Sequence, residues 1–101
     1  MRVIVFFDLP IDTAENRREY AKFRRSLIKE GFMMLQKSVY VKLAMNQNSA
    51  ASISAKLKGI KPSSGLVQVL TVTEKQFEKM EILTGEFKSD VLDNSDRVVI
   101  L

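Results

Sequence analysis

The chain has 101 residues, 46% of them hydrophobic and 28% charged, with a formal net charge of +4. That is the composition of one soluble domain. No apolar run approaches the roughly 20 residues of a membrane span and no signal-peptide pattern is present, so a cytoplasmic protein with no membrane partner is expected. Cysteine and histidine are both absent, which excludes disulfides, thiolate metal sites, a thiol nucleophile, histidine–zinc chemistry and the commonest general base.

Val3 to Phe7 are five consecutive β-branched or aromatic residues, the types that fit a pleated surface buried on both sides, and predict a central core strand. Pro10 cannot donate to a ladder and ends it. Period-two geometry puts Asp8 on the side of Ile4 and Phe6, so one acid stands at the carboxyl end of a rigid strand. Asp12 with Glu15 forms a capping-box-like helix start, with Thr13 the alternative cap. The helix is expected to run to about Glu30 and stop at Gly31. Tyr20, Phe23 and Leu27 share its apolar face. Arg18, Lys22, Arg25 and Lys29 fall within about 60° of one another on the opposite face. Such a stripe is either a solvated surface or a seat for a phosphate backbone, which would relieve the repulsion of four like charges. Arg17 sits off the stripe, near the strand end, where it meets either a phosphate held at Asp8 or an acid on the surface.

Phe32 to Leu43 is one long β-prone segment. Leu35, Val39, Val41 and Leu43 fall mostly on one side, and Gln36, Ser38, Tyr40 and Lys42 on the other. Its pattern does not tell a bend from a hairpin near Gln36 to Ser38. Asn46 to Ser49 reads as a loop containing a helix cap, followed by a second helix from about Ala50 to Gly59 with Ala50, Ile53 and Leu57 inward. Leu66 to Val72 is nearly all apolar and reads as another central strand. Thr73 with Gln76 caps a short helix to about Ile82, with Phe77 and Met80 as its contacts. Thr84 to Asp96 reads as a long polar loop and Arg97 to Leu101 as a last apolar strand that needs a sheet edge to lie on.

Charge is unevenly spread. Met1 to Lys61 carries a net +7, which suits a polyanion, and Pro62 to Leu101 a net −3, which suits a basic protein partner. The order of elements predicts a single domain over residues 1–101, a two-layer α/β (α+β) sandwich with a ferredoxin-like βαββαβ sheet. That fold alone fixes no activity. Among chemical signatures, no glycine-rich phosphate loop, zinc spacing or serine triad occurs. The remaining candidate is Asp8, with Asp12 close by. Magnesium is often held by one or two carboxylates with water and substrate phosphate, and a two-fold dimer would bring two Asp8 carboxylates together. An acid at a strand end is otherwise a turn cap or an arginine partner.

Val-Ile-Val-Phe-Phe-Asp8-Leu-Pro, Asp12-Thr with Arg17, Gly31-Phe32, Gln36-Lys-Ser38-Val39-Tyr40 and Leu70 to Phe77 together resemble the family of the second CRISPR-associated protein. This is the small adaptation subunit that works beside the first CRISPR-associated protein, an integrase. The resemblance covers nearly the whole chain and is nearest to the branch accompanying single-effector systems. It implies a ferredoxin-like homodimer in which the terminal strand, about 97–101, is added to the partner's sheet. It implies that Asp8 is the catalytic, magnesium-binding residue (manganese being the alternative) at the dimer interface, and that the activity is endonucleolytic on single-stranded RNA or duplex DNA. It also implies a role in spacer acquisition, with the dimer holding DNA between integrase dimers. Arg17 matches the family's arginine at the start of the first helix, with Arg18 one residue away. The nucleic-acid-binding set is therefore Arg17, Arg18, Lys22, Arg25 and Lys29. The partner-binding set is Glu86, Asp90, Asp93 and Asp96, in the acidic end. Two other readings remain: a non-catalytic nucleic-acid scaffold in which Asp8 is structural, and a ferredoxin-like regulatory module, which the basic stripe disfavours.

Overall fold

A computed structural model describes residues 1–86. The expected last strand and most of the loop before it, with Asp90, Asp93 and Asp96, lie outside the described residues. The order is β1 (Arg2–Asp8), α1 (Ala14–Lys29), β2 (Met33–Gln36), β3 (Val39–Leu43), α2 (Gln47–Ile60), β4 (Leu66–Val72) and α3 (Glu74–Glu78). The sheet runs β2-β3-β1-β4 with every neighbouring pair antiparallel. This is the ferredoxin-like α+β arrangement predicted, with a short third helix appended.

Both long helices lie on one face of the sheet. Val3, Val5 and Phe7 of β1 meet Phe23 and Leu27 of α1, Tyr40 of β3, and Ala50 and Leu57 of α2 in one cluster. Phe7 is its centre, with ring centroids 5.2 Å from Phe23, 5.7 Å from Tyr40 and 5.8 Å from Tyr20. Each large side chain buried here contributes roughly 1.5–3 kcal/mol, so β1 is fixed more firmly than any surface contact could fix it.

The helix ends follow their sequence signals. Thr13, not Asp12, is the cap of α1, its Oγ1 accepting from the Asn16 backbone N–H at 3.0 Å. At the other end Gly31 takes φ +96. Its N–H donates to the Ile28 carbonyl and that of Phe32 to the Leu27 carbonyl, both at 3.0 Å, which closes a Schellman motif whose flanking Leu27 and Phe32 are both buried. Asn46 caps α2, which therefore starts three residues earlier than expected. Thr73 and Gln76 form the predicted capping box, but α3 stops at Glu78, leaving Met80 half exposed beyond it.

One open point is resolved and two sequence expectations are corrected. Residues 32–43 form a hairpin turning at Lys37 and Ser38, with a register shift between Met34 and Gln36. Tyr40 and Lys42, on the more polar side by sequence, face the helices. Tyr40 is fully buried in the core, and the Lys42 ammonium donates to the Glu30 carbonyl at the end of α1. β4 is not central: it is an edge of the sheet formed by the described residues, and its Leu66, Val69 and Leu70 are exposed. β1 is the central strand expected, yet the two long helices cover only one of its faces.

Candidate active site and nucleic-acid surfaces

Asp8 ends β1 opposite Leu66 of β4 and is exposed. By register it shares with Ile4, Phe6, Leu66, Gln68 and Leu70 the sheet face opposite the two long helices. Two contacts hold its backbone. The Phe7 N–H donates to the Ser38 carbonyl at 3.0 Å, which ties the strand end to the hairpin turn. On the other side Gly65, at φ +92, lets the α2–β4 loop close on the acid. A Cβ there would lie 2.9 Å from the Asp8 carbonyl oxygen and 2.7 Å from Leu9 Cδ2. Among the described residues the Asp8 carboxylate has no ion-pair partner, the two pairs being Arg2–Glu74 and Lys56–Glu30. No group of three acidic, histidine or cysteine side chains gathers among them. An unpaired acid on a clamped strand end fits a hard cation that takes its remaining ligands from water and phosphate. Asp12 is committed elsewhere, its Oδ1 accepting from the Asn16 side chain at 2.7 Å.

The basic residues divide between two surfaces. Arg17 lies at Asp8's end of the molecule, its Nη1 donating to the Ile11 carbonyl at 3.1 Å across the β1–α1 loop. Arg18, Lys22, Arg25 and Lys29 are all exposed on the side of α1 opposite the buried Phe23 and Leu27. The stripe therefore forms the outer surface of the helical layer, while Asp8 belongs to the open sheet face. The thickness of the domain separates them. Glu86 is exposed.

Sequence reasoning passed over Arg24 and Lys37. Arg24 is exposed on α1 beside the buried Tyr40 hydroxyl, which has no hydrogen-bond partner. Burial pushes the Tyr40 phenol above its ordinary value. The Arg24 guanidinium opposes that shift without reaching the hydroxyl in hydrogen-bonding geometry. Lys37 is exposed in the hairpin turn, and its place at Asp8's end of the sheet follows only from the pairing of β3 with β1, which no local pattern reveals.

The open face is apolar. Ile4 and Val41 are buried in its middle, and Leu43, Leu66 and Leu70 stand 60%, 56% and 51% exposed around them. No described helix is long and apolar enough to cross a membrane.

Residues 1–80 match the family described as CRISPR associated protein Cas2. This chain belongs to that family. A Cas2 relative from Treponema denticola, named CRISPR-associated endoribonuclease Cas2, is 56% identical over 101 residues, all of both chains. Relatives of the same name from Lacticaseibacillus rhamnosus and Ligilactobacillus salivarius are 44% and 45% identical, again over the full length of both chains. The family resemblance drawn from the motifs is thus borne out by the Cas2 match.

Proposed function

We propose that this chain is a metal-dependent endonuclease that also serves as a CRISPR adaptation subunit, binding duplex DNA as a homodimer and bridging integrase dimers during spacer acquisition. The observation that carries the nuclease reading is Asp8, an exposed acid without a partner among the described residues, held at the end of the central strand by the Ser38 and Gly65 contacts. Related proteins bearing the name endoribonuclease support it. Asp8 would hold magnesium, or manganese. The bound cation supplies charge stabilisation at a phosphoryl oxygen and lowers the pKa of a bound water. Arg17, beside the same end, offers a fixed positive charge to the phosphate. The substrate is single-stranded RNA or duplex DNA.

The homodimer is supported by the apolar open face and by the β4 edge, unpaired among the described residues, which invites another strand. Two copies meeting there would place two Asp8 carboxylates near one interface. The exposed stripe of α1 supports the duplex-binding role, and the acidic end, Glu86 with Asp90, Asp93 and Asp96, is assigned to the integrase. One observation favours a second reading, the non-catalytic scaffold: the stripe and Asp8 occupy different faces, so holding a duplex does not require the acid. The test separates the two activities in one variant. Asp8→Asn should abolish magnesium-dependent cleavage while spacer integration by the reconstituted integrase complex continues. Loss of integration with the dimer and DNA binding intact would make the metal site essential to adaptation; undiminished cleavage would remove Asp8 from the nuclease.

A further inference from the structure

The helix α1 sorts its charges by direction. Glu15, Glu19 and Glu30 fall on the flank that faces α2, where the Lys56 ammonium lies 3.4 Å from Glu30 Oε1. A groove of about 160 Å³ between the helices opens on the same flank, lined by Glu19, Lys22 and Ser26 with Gly59 to Pro62. The opposite flank faces the β2–β3 hairpin and carries no acid. Arg17 and Arg24 project there within about 20° of each other, about 10 Å apart along the helix axis. Tyr20 lies between them, half-buried, in T-shaped contact with the Phe7 ring at 5.8 Å between centroids and with its hydroxyl 3.5 Å from the Lys37 carbonyl. From Gly31 to Thr73 the chain has no Asp or Glu, so the hairpin brings no acid to neutralise this flank.

The hairpin brings Lys37 instead. β1 and β3 pair with Phe6 opposite Val39, and the Phe7 N–H bonds to the Ser38 carbonyl, so the turn residue Lys37, next to Ser38, lies at the same end of the sheet as Asp8. Lys37 is exposed and in no ion pair among the described residues.

We propose that Arg24 and Lys37 join Arg17 and Tyr20 in a track for single-stranded nucleic acid, running along the hairpin side of α1 to Asp8 and separate from the duplex-binding stripe. This rests on the reading of Asp8 as the nuclease residue. A row of cations with an aromatic ring among them is the arrangement that binds single strands, because phosphates meet the charges and an unstacked base can meet the ring. A duplex offers no free base to the ring, and its backbone is served by the four cations on the outer surface. Arg24 and Lys37 are therefore positioning residues for a single-stranded substrate.

The test is binding without turnover. A fluorescein-labelled oligouridylate and a labelled DNA duplex are titrated in magnesium-free buffer at several salt concentrations. Arg24→Ala/Lys37→Ala should weaken oligouridylate binding and flatten its log–log salt slope by about 0.7 for each phosphate no longer neutralised, leaving duplex binding unchanged. Arg18→Glu/Arg25→Glu should do the reverse, and Arg24→Lys should retain most single-strand affinity. All four residues are exposed, and equal thermal unfolding midpoints confirm that folding is unaffected. An unchanged oligouridylate slope in Arg24→Ala/Lys37→Ala, or equal weakening for both ligands, overturns the track. If Asp8→Asn leaves cleavage intact while the binding results come out as expected, the nuclease assignment falls and the track stands.

Discussion

Asp8 depends on a neighbour that no chemical motif announces. Gly65 is in a backbone region that disfavours side chains, and any Cβ would press on the Asp8–Leu9 backbone. Gly65→Ala should destabilise the fold by about 1–3 kcal/mol in urea unfolding and lower cleavage, since the loop must retreat from the acid. A second residue-scale prediction concerns Arg2. Its guanidinium donates to both carboxylate oxygens of Glu74, at 2.6 and 3.2 Å, and lies 4.6 Å from the centre of the Phe77 ring. The hydrogen bond from Arg2 lowers the Glu74 carboxyl below its ordinary value. A carboxylate shifted down stabilises the fold above its unfolded pKa, and that stability is lost as pH falls through the folded value. Glu74→Gln should remove this acid-side dependence, an effect of at most about 1 kcal/mol because the pair is partly solvated. Tyr40 has the opposite sign. Its raised phenol favours folding below about pH 10 and loses that contribution as pH rises through the folded value. Tyr40→Phe should flatten the alkaline limb without destabilising the protein at neutral pH, because the hydroxyl it removes has no hydrogen-bond partner to lose.

At the scale of elements, the sequence was most legible where a local signal decides. The α1 limits follow from Thr13 and Gly31, and the inward faces of α1 and α2 from the spacing of Tyr20, Phe23, Leu27, Ala50, Ile53 and Leu57. Legibility ended where a partner element decides. β4 looks central by composition, because an apolar strand is the same string of letters whether its neighbour comes from its own chain or from elsewhere. Tyr40 and Lys42 looked outward because the hairpin has two apolar sides, and hydrophobicity alone does not say which one the helices cover. The acid at the end of β1 was legible from Pro10 and the period of two. Of the cations at that end, Arg17 was legible from its place at the start of α1 and Lys37 was not, since Lys37 comes there only through the pairing of β3 with β1. The α1 stripe gives an element-scale prediction for duplex DNA. Reversing Arg18 and Arg25 should weaken binding to every sequence alike and reduce the steepness of the salt dependence, as read by anisotropy.

For the whole molecule, the division between an apolar sheet face and a basic helical face sets out two distinct tasks. If the open face is where a second copy binds, Leu66→Glu/Leu70→Glu should yield monomers in light scattering at concentrations where the parent chain is dimeric. Both side chains are exposed in the single chain, so its own fold should survive. The central claim is that Asp8 carries a metal-dependent nuclease. Its most direct test is a magnesium titration of cleavage, run on labelled single-stranded RNA with the parent protein and Asp8→Asn side by side. The account predicts cleavage that rises with magnesium, disappears in chelator and is lost in Asp8→Asn at an unchanged unfolding midpoint. Equal cleavage by the two proteins, or cleavage that persists in chelator, would contradict it.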